Sequence, residues 1–81
     1  MFLFKVEERV VLTGIGLVLL PGPGDKKTRV NDKIKIVRPD NSIIDTTIKG
    51  RFFSTSHISV GSELTKDDVP IGSEVWLNKE E

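Results

Sequence analysis

His57 is the only histidine in a chain of 81 residues that has no cysteine. A lone imidazole can act as a general base only beside a nucleophile it serves, and neither a thiol nor a serine partner pattern accompanies it. Zinc needs several histidines, cysteines or carboxylates together, so His57 is expected to hold no metal. Gly14-Ile15-Gly16 has the first two glycines of a dinucleotide fingerprint. The third glycine is missing, and a strand pattern rather than a helix follows, so no helix N-terminus is there to receive a pyrophosphate. No glycine-lysine-serine/threonine run occurs, and GTP binding is not expected. The residues therefore point away from an enzyme and call for no cofactor.

What remains is chemistry of contact. Lys49, Arg51, Phe52 and Phe53 form a basic-aromatic cluster in which phenylalanines beside cations can stack on bases. The structural alternative is that one phenylalanine enters the core and the other closes one end of the domain. Lys33 and Lys35 extend this set, so the RNA-binding candidates are Lys33, Lys35, Lys49, Arg51 and Phe53. Trp76 alternates with Val75 and Leu77 and so faces away from them, which makes it the candidate anchor of a protein interface.

Positioning these side chains falls to a set of short strands. Residues 2–12 are rich in β-formers with no helical stripe, and the strand is expected to bend near Glu7-Glu8. Strands follow over residues 16–20, 33–38 and 43–49, where Lys33-Ile34-Lys35-Ile36 alternates with period two. Pro39-Asp40-Asn41-Ser42 makes a turn and hence a hairpin, because proline pre-sets φ and Asp and Asn satisfy backbone groups. Thr65 and Asp68 have N-cap spacing, but Pro70 and Gly72 limit that segment to about one turn. Residues 73–77 form the closing strand. Leu17, Val18, Ile34, Ile36, Ile48 and Val75 are the expected core.

Twelve cations balance twelve anions, which counts against strong nonspecific nucleic-acid binding. Cations crowd the middle and carboxylates the end, and Asp25, Asp32, Asp40 and Asp45 interrupt the basic stretch. The surface is expected to be mixed and solvated. One domain is expected over residues 1–81. Met1-Phe2-Leu3-Phe4 is too short for a signal-peptide apolar region, and no run approaches the ~20 apolar residues of a membrane span. A cytoplasmic protein without membrane contact is the expectation.

Several segments share one order and spacing. Gly14-Ile15-Gly16-Leu17-Val18 is followed by a turn, Val30-Asn31-Asp32 and an alternating strand. Lys5-Val6-Glu7-Glu8 precedes them, and residues 46–50, Val60-Gly61, residues 66–69 and Gly72 follow. Over nearly the whole chain this pattern resembles the second domain of the translational GTPases, the elongation factor Tu family, without the GTPase domain. The resemblance implies a small, partly or fully closed Greek-key-like β-barrel. It also implies a binding module that contacts RNA or protein while another domain does the chemistry. By motif position Glu7 and Glu8 correspond to the family's acidic pair bordering the pocket for the aminoacyl end of transfer RNA. Val10, Ile15 and Leu20 stand where the family has an aromatic, a basic residue and a threonine.

The function expected is therefore that of a non-enzymatic, stand-alone module recognising a protein or ribonucleoprotein partner, with the translation machinery suggested by the resemblance. The alternatives are a weak RNA binder, a small-molecule or peptide site at a barrel rim, and an immunity or decoy protein mimicking a translation-factor surface.

Overall fold

The structure is a computed structural model that describes residues 1–24, 28–52 and 56–78. Phe53 lies outside the described residues. Among those described there is no helix, and eight strands form two antiparallel four-stranded sheets. The strands are β1 (Phe2–Lys5), β2 (Glu8–Leu12), β3 (Gly16–Leu20), β4 (Lys33–Val37), β5 (Ile43–Thr47), β6 (Gly50–Arg51), β7 (Ile58–Gly61) and β8 (Glu74–Leu77). The first sheet has the order β1-β8-β4-β5, the second β2-β3-β7-β6.

The all-β expectation holds, but the sheets are not closed into a barrel. Two of the expected strands are each divided between the sheets. In the first, Val6 N donates to Ser73 O at 2.7 Å, beside β8, while Glu7 N donates to Leu20 O at 2.9 Å, on β3. In the second, Ile48 N donates to Asp32 O at 3.0 Å, whereas Lys49 N donates to Ser59 O at 2.7 Å. The chain thus changes sheet across one peptide at each place. Such corners let neighbouring residues satisfy their backbone groups on different sheets.

The core lies between the sheets. Leu3, Val6, Leu17, Leu19, Ile34, Ile36, Ile48, Ile58, Val60, Val69 and Val75 are all buried. All six residues expected in the core are buried. Val18 is buried outside that cluster, on the face of β3 opposite Leu17 and Leu19 and in register with Val10 and Ser59. Its apolar run serves a strand covered on both sides.

Arginines secure the long connections. Arg9 Nη1 donates to Lys66 O at 2.9 Å and to Val69 O at 3.1 Å, and Arg38 Nη1 reaches Asp68 O at 3.4 Å. Between them sits the single turn that the Thr65–Asp68 spacing implies. There Thr65 N donates to Asp68 Oδ2 at 2.9 Å and Asp68 N to Thr65 O at 3.0 Å. A guanidinium can satisfy carbonyls that such a short turn leaves unpaired.

The β4–β5 turn carries a carboxylate whose titration the fold displaces. Asp40 Oδ1 accepts from Ser42 Oγ at 2.5 Å and from Ser42 N at 2.9 Å. These bonds, side chain first, together with the Arg38 charge hold its carboxyl below the ordinary value of 3.8. The native state therefore favours the ionised form. Its stabilising contribution is complete above the unfolded-state value and is lost as pH falls through the folded-state value. Urea unfolding of Asp40→Asn is accordingly expected to show a weaker loss of stability below about pH 4 than the parent chain. Equal acid slopes would contradict this assignment.

Candidate binding face

Alternation along the first sheet decides which side chains reach solvent. Ile34 and Ile36 point into the core, so Lys33, Lys35 and Val37 of β4 point outward. On β8, Val75 and Leu77 are buried, and Glu74 and Trp76 take the outer face. On β5, Ile43, Asp45 and Thr47 oppose Val37, Lys35 and Lys33. Phe2 pairs with Trp76, Trp76 with Lys35, and Lys35 with Asp45. One row across four strands thus reads aromatic, aromatic, cation, anion.

This row is braced. The Phe2 and Trp76 rings meet edge to face, with centroids 5.3 Å apart and planes at 73°. Lys35 Nζ sits 5.9 Å from the Trp76 ring centroid. Trp76 Nε1 donates to Glu74 Oε1 at 3.1 Å. Ring packing, a nearby cation and a satisfied N–H each restrict the indole's rotation. Trp76 is half-buried, and Phe2 is 39 % exposed. Beside the row, Lys33, Ile34, Asp45, Thr46, Thr47 and Asn78 line an open groove of about 380 Å³.

The other candidates are dispersed. Lys33 and Lys35 share the outer face of the first sheet, whereas Lys49 joins the second sheet beside β7 and Arg51 belongs to β6. Arg51 is occupied within the fold. Its Nη1 donates to Thr28 O at 2.7 Å and to Thr28 Oγ1, and Nη2 reaches Gly24 O at 3.4 Å. Lys49 is exposed. Glu7 and Glu8 are both exposed at the first corner, where Glu8 Oε1 accepts from Arg9 N at 2.9 Å. His57 is half-buried ahead of β7, and its carbonyl accepts from Phe52 N at 3.0 Å.

Among the described residues no cluster of three or more histidine, cysteine, aspartate or glutamate side chains is arranged to hold a metal. Among them, too, no helix is long and apolar enough to cross a membrane. Sequence reasoning missed Phe2 as the neighbour of Trp76 and Asp45 as the end of the row. The missing signal was strand order, since β1 and β8 come from opposite ends of the chain.

No protein family, curated protein or solved structure matches this chain. The likeness to the translational GTPases therefore stands on the sequence motifs alone.

Proposed function

We propose that this domain is a non-enzymatic binding module that engages a protein or ribonucleoprotein partner through the outer face of the first sheet. Trp76 is the anchor. The observation carrying this reading is the braced, half-buried indole against a partly exposed phenylalanine. A tryptophan already held in place loses little side-chain entropy on binding, and such residues often dominate interface energy. The translation machinery is the partner class that the motif resemblance suggests.

Lys33 and Lys35 on the same face favour a second reading, a single-stranded RNA stacked on the aromatics with its phosphates toward the lysines. Asp45 and Glu74 on that face oppose it electrostatically.

The test is retention of partners from cell extract with and without nuclease. The parent chain is compared with Trp76→Ala and with the pair Lys33→Glu/Lys35→Glu, each variant checked for cooperative melting. Retention is expected to survive nuclease and to fall at least ~30-fold for Trp76→Ala, the loss of about 2 kcal/mol of a central anchor. Loss on nuclease treatment and on charge reversal, with Trp76→Ala unaffected, would establish the RNA reading instead.

A further inference from the structure

Among the described residues β5 ends the first sheet with nothing paired to its outer edge. Its hydrogen-bond phase follows from two flanking bonds. Arg38 N donates to Ser42 O at 2.8 Å, and Ile48 N donates to Asp32 O at 3.0 Å. The β4–β5 register runs without a shift from Lys33↔Thr47 to Val37↔Ile43. In an antiparallel ladder, hydrogen-bonded pairs recur at every second residue. Ser42, Ile44, Thr46 and Ile48 therefore spend their backbone groups on β4. The N–H and C=O groups of Ile43, Asp45 and Thr47 point the other way, and β5 is the terminal strand of its sheet.

This edge differs from the other three. A register shift interrupts β1 between Phe2 and Phe4, and β6 is two residues long. On β2, Arg9 sends its guanidinium across to the turn at Lys66 and Val69. β5 is five residues long, regular, and free of proline and lysine. Among the described residues it has none of the usual devices that keep an edge from pairing, apart from the exposed Asp45. That carboxylate also selects the occupant. Two copies paired antiparallel about the strand centre set Asp45 against Asp45, a like-charge pair. A foreign strand with a cation at that position meets opposite charge.

We propose that β5 accepts an extended peptide as a fifth strand of the first sheet, with lysine or arginine opposite Asp45 and β-branched residues on either side. Main-chain bonds to Ile43, Asp45 and Thr47 supply affinity, and the charge pair sets register.

The probe is a capped seven-residue peptide of alternating threonine and valine with lysine at its centre. Amide hydrogen exchange of the whole domain is followed by NMR at millimolar peptide. The amides of Ile43, Asp45 and Thr47 are expected to exchange quickly in the free domain and to slow on addition of peptide. A glutamate-centred peptide is expected to bind roughly fivefold more weakly, and Asp45→Lys to reverse that order. Asp45→Asn, checked by melting temperature, is expected to bind the two peptides equally. Trp76→Ala is expected to leave the protection intact, so this site and the Trp76 face fail separately. No protection at these three amides, or no charge preference, overturns the proposal. So does protection that rises with protein concentration without peptide, which would assign the edge to a second copy.

Discussion

Gly16→Val is expected to leave the domain unfolded or close to it, with a loss on the order of 4 kcal/mol or more. That is comparable to the entire stability of a domain this size. Gly16 opens β3 with φ at +106°, a region that side chains rarely adopt. A Cβ there would run into the Gly61 carbonyl group and lie within 2.6 Å of Ser62 N. Both obstacles are backbone, so no rotamer change relieves them. Moving them displaces the end of β7, which pairs with β3 at Leu17↔Gly61. The control is Gly14→Ala in the preceding turn. Gly14 also has positive φ, +81°, but nothing lies within 4 Å of its Cβ position. Its cost should be the conformational term alone, about 1 kcal/mol. Urea unfolding of both variants checks the pair. A Gly16→Val chain that melts within a few degrees of the parent would show that the two strands do not approach as described.

Ile36→Ala is expected to cost about 2–4 kcal/mol, the usual toll for emptying a filled core position. Ile36 is fully buried at the middle of β4, between Ile44 on β5 and Val75 on β8. Rigid ladders on both sides leave the cavity little means of collapse. For a domain of this length the melting temperature should fall by roughly 10–30 °C. Ile43→Ala makes the comparison, since Ile43 is 55 % exposed on the edge strand and should shift stability by no more than ~0.5 kcal/mol. Near-equal melting of the two variants would mean that the inward face of β4 is misassigned.

The sequence by itself determined the all-β class, the central hairpin and the inward faces of β4 and β8. These are local properties. Alternation in Lys33-Ile34-Lys35-Ile36 assigns faces through the pleat, and Pro39-Asp40-Asn41-Ser42 writes its own turn chemistry. Asn41 adopts φ +73° and Asp40 accepts from Ser42 there. Thr65 and Asp68 likewise bond each other as their spacing requires. The outward direction of Trp76 was legible for the same reason.

Only the tertiary structure decided which sheets the corners join and where the second one falls, what stands beside Trp76 and what the arginines do. The bend expected near Glu7-Glu8 falls at Val6-Glu7, where Ser73 and Leu20 are the partners, but Ile48-Lys49 divides a strand that reads as continuous, because that change of sheet depends on Asp32 and Ser59 far along the chain. Arg51 reads as a free cation beside phenylalanines, yet its guanidinium bonds Thr28 and Gly24 more than twenty residues away. Phe2 meets Trp76 only because the first and last strands are hydrogen-bonded neighbours. Periodicity states which face a residue takes; it carries no information on which strand lies next to it, since that order follows from packing the two sheets around one core.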